Sequence, residues 1–137
     1  MPDMNDYYQI DSHEEEGNET IFSIRLIPEH CVYTGHFPGN PISPGVCNIQ
    51  MFKECTELLT GKTMFLAFID KCKFLAVMSP LTTPQLKLKI HLTKETETPP
   101  TLHEQPSKAY DIYNVQATLF DDATTYIIFK GQLKTKD

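Results

Sequence analysis

The sequence lacks any run of about 18 apolar residues, the length a helix needs to cross a membrane. Residues 1–10 carry Asp3 and Asp6 and no apolar stretch, so we expect neither a signal peptide nor a transit peptide, and we expect a cytoplasmic protein. Clustered basic residues are also missing: 12 Lys and Arg stand against 18 Asp and Glu, for a net charge of -6. Since nucleic-acid binders need a basic stripe that neutralises phosphates, this balance argues against that class.

No C-x-x-C pair occurs among the four cysteines, so a zinc knuckle or a thioredoxin-type motif has no support. We expect Cys31, Cys47, Cys55 and Cys72 to be small buried apolar residues; a reactive thiol or a disulfide is the less favoured alternative. Neither an internal repeat nor a low-complexity segment is present. No metal and no organic cofactor is expected.

The chain has 137 residues, enough for one domain, which we expect to span residues 1–137. Alternating apolar residues predict a strand at 21–28 and another at 84–93. The only convincing helix is predicted at 46–59, with Gly61 as its stop. Further predicted elements are a bent or bulged strand at 64–77, a pair of strands at 110–120 and 124–133 joined by a turn at 121–122, an acidic arm or weak strand at 1–19, and a surface loop at 95–108.

These elements predict an α+β architecture: one early helix, then four or more antiparallel strands in meander order. Segments 65–69 and 126–129 are apolar on both faces of their strands. We therefore expect the chain to form a homodimer or a higher oligomer of dimers.

Residues 36–46, His-Phe-Pro-Gly-Asn-Pro-Ile-Ser-Pro-Gly-Val, place one histidine in a loop stiffened by prolines directly before the helix. A helix N-terminus offers unpaired backbone N–H groups and the positive end of the helix dipole. A histidine transfers protons near neutral pH. Together they are the two groups needed to form an enolate.

This loop, the helix after it and residues 65–74 resemble the 3-hydroxyacyl-acyl-carrier-protein dehydratases of fatty-acid synthesis. The resemblance implies a hotdog fold, in which a curved antiparallel sheet wraps one long helix, dimerised so that each active-site tunnel lies between protomers. The N-terminal segment departs from the family, because an acidic arm replaces the usual leading helix. The length of the acyl chain accepted by the tunnel is therefore not predicted.

By this resemblance His36 is the base that removes the proton beside the thioester carbonyl, and the amides of Gly45 and Val46 hold the carbonyl oxygen as it gains charge. Substrate contacts fall on the rest of the loop: Phe37, Pro38, Gly39, Ile42 and Pro44. A structural role for His36 is the alternative.

The family's acid lies fourteen residues after the histidine and comes from the other protomer; in this chain that residue is Gln50. An amide has no proton to give to a leaving hydroxyl, so a slow or inactive site is expected. One helical turn later, where the family usually has glutamine, this chain has Glu54. Glu54 is either a displaced acid or, with Gln50, Lys53 and Glu57, part of an ordinary solvated or interface stripe in which Lys53 and Glu57 pair.

Three functions stay open. The first is dehydration of 3-hydroxyacyl thioesters on acyl carrier protein, slow or dependent on a partner subunit. The second is a catalytically silent acyl-thioester binding subunit, or heterodimer partner of a complete dehydratase, and the third is a hotdog thioesterase. For acidic carrier proteins, Lys62, Lys71 and Lys73 are candidate contacts at the tunnel mouth, with simple solvated lysines as the alternative.

Overall fold

The computed structural model describes residues 7–27, 45–79, 85–96 and 111–135. Within these residues the chain forms one helix and six strands, numbered in chain order. The strands are β1 (Tyr8–Glu16), β2 (Glu19–Leu26), β3 (Met64–Phe74), β4 (Gln85–Thr96), β5 (Asp111–Phe120) and β6 (Thr125–Thr135), and the helix is α1 (Gly45–Thr60).

All six strands belong to one antiparallel sheet in the order β1-β2-β4-β5-β6-β3. The predicted meander holds from β4 to β6 but is wrong for β3, which lies at the far edge beside β6. The helix stands between β2 and β3 in the chain, so β3 enters the sheet at the opposite edge and β4 returns to pair with β2. This curved sheet, with one helix in the described part of the chain, is the hotdog architecture that the resemblance implied.

The core lies between α1 and one face of the sheet. Leu86, Leu88 and Ile90 of β4 alternate with more exposed residues, as predicted from their spacing. Buried residues of α1 recur three and four positions apart, which places them on one face of the helix: Cys47, Asn48, Met51, Phe52, Cys55 and Thr56. The Phe52 ring packs against the Phe129 ring of β6, with centroids 5.8 Å apart.

The N-terminal segment is a nine-residue strand rather than an arm. β1 pairs with β2 along its length, and Gly17 makes the turn between them with a φ of 60°. A side chain at positive φ is strained, so glycine suits this turn. The pairing brings the start of β1 close to α1, where the hydroxyl of Tyr7 donates to Oδ1 of buried Asn48 at 2.8 Å.

Strand β3 carries the predicted irregularities, with register shifts against β6 between Leu66 and Phe68 and between Ile69 and Lys71. It is an edge strand that is apolar on its exposed surface. Its exposed large apolar residues, together with two that follow the strand, are Phe65, Leu66, Phe68, Ile69, Phe74, Leu75 and Val77.

The turn at 121–122, the loop at 95–108 and the burial of the cysteines were also predicted from the sequence. Asp121 makes the predicted Asx turn, since its Oδ1 accepts from the backbone N–H groups of Ala123 and Thr124, each at 2.8 Å. β4 extends to Thr96, two residues into the segment predicted as a loop at 95–108, and residues 97–108 lie outside the described part of the chain. Cys47 and Cys55 are buried as predicted, Cys72 is half-buried, and Cys31 is not among the described residues.

In the described part of the chain, no helix combines the length and the hydrophobicity that a membrane crossing requires.

Candidate active site

The predicted catalytic loop lies outside the described residues. This applies to His36 and to the predicted substrate contacts Phe37, Pro38, Gly39, Ile42 and Pro44. Their roles stay predictions. What the structure does describe is the helix that follows the loop and everything packed around it.

Helix α1 begins at Gly45, so Gly45 and Val46 lie in its first turn. The first four backbone N–H groups of a helix have no partner within it, and the helix dipole adds a positive field there. The first turn of α1 contains no acidic residue whose charge would offset that field. This end of the helix therefore suits an oxygen that gains negative charge.

Glu54 is the centre of a hydrogen-bonded cluster on the half-buried side of α1. Its Oε1 accepts from the hydroxyl of Tyr8 at 2.7 Å, and its Oε2 accepts from the side-chain amide of Gln50 at 3.3 Å. Both oxygens of the carboxyl group are thus acceptors. The two residues singled out in the sequence touch each other, and a third joins them from β1.

Tyr8 is the residue that sequence reasoning missed. It lies 46 positions before Glu54 and reaches it only because β1 docks beside the helix. The one available signal was a pair of tyrosines, Tyr7 and Tyr8, in an otherwise polar and acidic segment. Both donate their hydroxyls to α1, Tyr7 to Asn48 and Tyr8 to Glu54.

Burial shifts the titration of the groups in this cluster. Desolvation raises the pKa of Tyr8 well above its usual range, and Cys55 and the hydrogen bond to Glu54 raise it further. Burial also raises the pKa of Cys55 to about 12, with a further rise from Glu54 and an opposing effect of Tyr8. At neutral pH Tyr8 is therefore a hydroxyl donor and Cys55 an inert thiol.

Lys53 and Glu57 make the predicted ion pair, with Nζ and Oε1 3.3 Å apart. The other oxygen of Glu57 accepts from the backbone N–H of Met64 at 2.8 Å, which ties α1 to the first residue of β3. Gln50, Lys53, Glu54 and Glu57 are all half-buried. The stripe is therefore partly covered and partly open to solvent, and both interpretations of Glu54, as a displaced acid or as part of this stripe, stay predictions.

A small cavity of about 40 Å³ lies between α1 and the sheet next to this cluster. Gln50 and Lys53 line it together with apolar residues, which are Ile49, Phe52, Leu66, Val115, Phe129 and Leu133. Gln50 therefore stands between the carboxylate of Glu54 and an apolar space. No group of His, Cys, Asp and Glu among the described side chains is arranged to hold a metal ion.

The three lysines predicted at the tunnel mouth do not lie together. Lys62 precedes β3 and pairs with Asp111 of β5; the hydrogen bond from Lys62 lowers the pKa of Asp111. Lys71 and Lys73 are exposed near the other end of β3. At about 3.3 Å per residue, the strand separates Lys62 from Lys71 by more than about 20 Å.

In sequence, the chain is similar to known dehydratases. The model of the ApeI-like family, described as ApeI dehydratase, matches residues 12–105. The chain is 39% identical over 72 residues to the 3-hydroxyacyl-[acyl-carrier-protein] dehydratase FabZ of Lactobacillus helveticus, covering 47% of this chain and 46% of that protein. Against the FabZ dehydratase of Enterococcus faecalis it is 32% identical over 103 residues, covering 69% and 72%.

Among solved structures, the dehydratase heterocomplex ApeI:P from Xenorhabdus doucetiae matches with a TM-score of 0.60 and 20% sequence identity, covering 91% of this chain and 96% of that one. This likeness shows the hotdog fold. The chain spans about half the length of several curated relatives, with 46% and 57% of the Lactobacillus helveticus and Lactiplantibacillus plantarum dehydratases covered. The extent of the family match nevertheless settles membership: the chain belongs to the ApeI-like dehydratase family.

Proposed function

We propose that the protein takes part in the dehydration of 3-hydroxyacyl thioesters carried on acyl carrier protein, as a subunit that supplies the base His36 and takes the acid from a partner subunit. The pathway is fatty-acid synthesis or a related acyl-chain synthesis. The observation that carries the proposal is the state of α1: the acid position holds the amide of Gln50, and both oxygens of the next carboxylate, Glu54, accept hydrogen bonds.

In the proposed reaction His36 removes the proton beside the thioester carbonyl, and the electron pair moves toward the carbonyl oxygen. The N–H groups of Gly45 and Val46, in the first turn of α1, stabilise the negative charge on that oxygen. The C–O bond to the 3-hydroxyl then breaks as an acid donates a proton, and water leaves. This chain contributes the base and the N–H groups that stabilise the carbonyl oxygen.

The general acid must come from another chain because of the hydrogen bonds that hold Glu54. A general acid has to present a proton to the leaving hydroxyl, whereas the Oε1 and Oε2 atoms of Glu54 are engaged as acceptors of hydrogen bonds from Tyr8 and Gln50. Losing general acid catalysis costs about 10²- to 10⁴-fold in rate. We therefore assign the acid to the partner subunit, not to Glu54.

The partner proposed is a dehydratase subunit that carries a carboxylic acid at the position of Gln50. In a dimer whose sites combine loop and helix from different protomers, such a pair has one complete site, formed by His36 and the partner's acid. The Xenorhabdus doucetiae neighbour is described as a dehydratase heterocomplex, which supports a heteromeric arrangement. Without that partner, we propose a homodimer of low activity.

The exposed edge strand β3 is the surface we assign to the dimer contact. Phe68 and Ile69 are 54% and 43% exposed on a strand whose only paired neighbour within the described residues is β6. An unpaired apolar edge is a template for another strand. We assign carrier-protein contact to Lys71 and Lys73, since Lys62 is engaged with Asp111.

The experiment measures dehydration of a short and a long 3-hydroxyacyl-carrier-protein substrate by the chain alone and after mixing with an acid-bearing dehydratase subunit of the same organism whose own histidine is replaced by alanine. The expected result is a rate gain on mixing that His36→Ala abolishes, because the complete site uses His36. Absence of association, or association without a rate gain, would refute the proposal.

A pair of variants tests the chain alone. Gln50→Glu places a second carboxyl group against Glu54, and two carboxyl groups at this distance share one proton. The double variant Gln50→Glu, Glu54→Gln restores the order of acid and glutamine that is usual in the family. We expect a rate increase of about 10²-fold or more for the double variant, whereas the matched control Gln50→Leu should show no increase over the low rate of the wild-type homodimer.

A second candidate is a catalytically silent acyl-thioester binding subunit, which the amide of Gln50 also favours. The two candidates differ in the mixed complex. If the chain is silent, His36→Ala leaves the rate of the complex with the unmodified partner unchanged; if it supplies the base, the complex loses most of its activity, because its one complete site uses His36.

A further inference from the structure

The amide of Gln50 has one orientation that fits its neighbour. A primary amide carries two N–H donors on nitrogen and an acceptor oxygen, whereas a carboxylate only accepts. The nitrogen Nε2 therefore faces Glu54, to which it donates at 3.3 Å. The oxygen Oε1 is the end turned away from Glu54, and among the described residues no hydrogen bond to Oε1 occurs.

Glu54 is itself held by Tyr8. The 2.7 Å hydrogen bond from the Tyr8 hydroxyl occupies the carboxylate oxygen that Gln50 does not use, so the carboxylate cannot turn without losing one of its donors. Desolvation raises the pKa of Tyr8, which keeps the hydroxyl protonated and donating throughout the neutral range. Tyr8, Glu54 and Gln50 thus form a chain of hydrogen bonds in which each member has a defined direction.

Because Gln50 lines a cavity, its Oε1 atom is placed where it can accept a hydrogen bond from a ligand. Its side chain is half-buried and lines the cavity of about 40 Å³ whose other walls are largely apolar. A cavity of this size has room for a group as small as one hydroxyl, and an amide oxygen of Gln50 that faces it accepts a hydrogen bond from that group. Such a site favours the ligand over its analogue without the hydroxyl, since the half-buried oxygen then has one partner fewer.

We propose that Tyr8 and Glu54 are positioning residues that orient the amide of Gln50 so that its Oε1 accepts a hydrogen bond from the 3-hydroxyl of a 3-hydroxyacyl thioester. This inference rests on the proposed function, from which the thioester substrate is taken, and it adds the group that recognises the hydroxyl. It holds for a site that binds without turnover, because accepting a hydrogen bond requires no proton transfer from Gln50.

The test compares two ligands by calorimetry with the full-length protein. One is a 3-hydroxyacyl pantetheine in which an amide replaces the thioester, and the other is the same compound without the 3-hydroxyl. A neutral hydrogen bond contributes about 0.5–1.5 kcal/mol, so we expect the hydroxyl compound to bind about 2- to 10-fold more tightly. In Tyr8→Phe and in Glu54→Met the ratio of the two affinities should fall toward one, while the affinity for the compound without the hydroxyl changes less than twofold.

Tyr7→Phe is the matched control, because it removes the neighbouring hydroxyl that donates to Asn48 rather than to Glu54. Its affinity ratio should equal that of the wild type, and thermal melts of all variants show which of them remain folded. Gln50→Leu gives a second route: it should remove the preference for the hydroxyl without any change in β1.

The outcomes separate this inference from the function on which it rests. If the wild type binds both compounds equally, or if Tyr8→Phe and Glu54→Met keep the full preference, the positioning role is refuted and the proposed function stands. If the wild type binds neither compound, the proposed function fails and the inference fails with it.

Discussion

The backbone carbonyl oxygen of Phe68 in β3 lies against Gly131 in β6, so closely that a Cβ atom on Gly131 would be 2.5 Å from that oxygen. The same Cβ would lie 2.9 Å from the ring of Phe129. Gly131 pairs with Ile69, between the two register shifts of β3, so the irregular strand needs a partner without a side chain there. The close approach of β3 to β6 therefore depends on the missing side chain at Gly131.

Gly131→Ala should therefore destabilise the protein by about 1–3 kcal/mol, the usual cost of overpacking. In an unstrained strand the same change is stabilising, because alanine loses less backbone entropy on folding than glycine. Urea denaturation measures the change, and faster hydrogen exchange in β3 should accompany it. A variant as stable as the wild type would contradict the tight approach.

At Gly61 a larger residue would be strained by its backbone conformation but would not clash with any neighbour. It follows α1 with a φ of 70°, its N–H donates to the carbonyl of Glu57 at 2.8 Å, and a Cβ there would meet nothing within 4 Å. We expect Gly61→Ala to cost about 1 kcal/mol in free energy of unfolding, the price of the left-handed conformation. Gly61→Asn should cost clearly less, since asparagine tolerates that conformation; equal losses in chemical denaturation would argue against a purely conformational cause.

Asp121 should make stability depend on acid pH. The hydrogen bond from Tyr126, at 2.6 Å, and those from the backbone of Ala123 and Thr124 lower the pKa of Asp121. A carboxyl group whose pKa is lowered by folding stabilises the native state above its unfolded pKa of about 4, and this stabilisation is lost as pH falls through the folded pKa. Asp121→Asn should therefore melt below the wild type at pH 7, and the difference should shrink below about pH 4.

Asp122→Asn is the control for this pH dependence, because it removes the same charge from the neighbouring exposed position without touching the turn contacts. Its melting temperature should follow that of the wild type at each pH. If Asp121→Asn keeps a constant difference from pH 7 down to pH 2, the carboxylate is not the source of the effect.

Ile69→Lys tests the edge of β3 as the dimer contact. Ile69 is 43% exposed, and a lysine on an edge strand opposes pairing with another strand. Burying one isoleucine contributes about 1.5–3 kcal/mol, and a symmetric contact uses it twice, so the dissociation constant should rise about 100-fold or more. Analytical ultracentrifugation measures it, with exposed Gln85→Lys on β4 as the control for added charge; equal association of both variants would place the contact elsewhere.

Local patterns in the sequence predicted the elements well. Alternation of apolar residues identified β2 and β4, the long apolar segment at 64–77 was predicted as a bent or bulged strand, and Gly61 marked the end of the helix. Each of these is decided by residues a few positions apart, through side-chain periodicity or through one residue's backbone freedom. The pairing of Lys53 with Glu57 was predictable for the same reason.

Long-range relationships were not predictable in this way. The chain order of the strands suggested a meander, whereas β3 lies at the far edge of the sheet, because α1 separates it from β2 and pairing is decided by which faces can cover the helix. The N-terminal segment was predicted as an acidic arm or a weak strand, and its docking on the helix could not be predicted, since most of the side chains of β1 face solvent and only a few face the core. The role of Tyr8 was not predicted, because its contact with Glu54 forms only when β1 docks beside α1.

By itself, the sequence determined the chemical identity of the parts: a histidine before a helix N-terminus, an amide where the family has an acid, and a carboxylate one turn later. Residue type and spacing are enough for that, because they define which protons a side chain can give or accept. Only the tertiary structure decided what the carboxylate does. Docking of β1 against α1 brings the Tyr8 hydroxyl to Glu54, so that the two oxygens of this carboxyl group accept hydrogen bonds from Tyr8 and from Gln50.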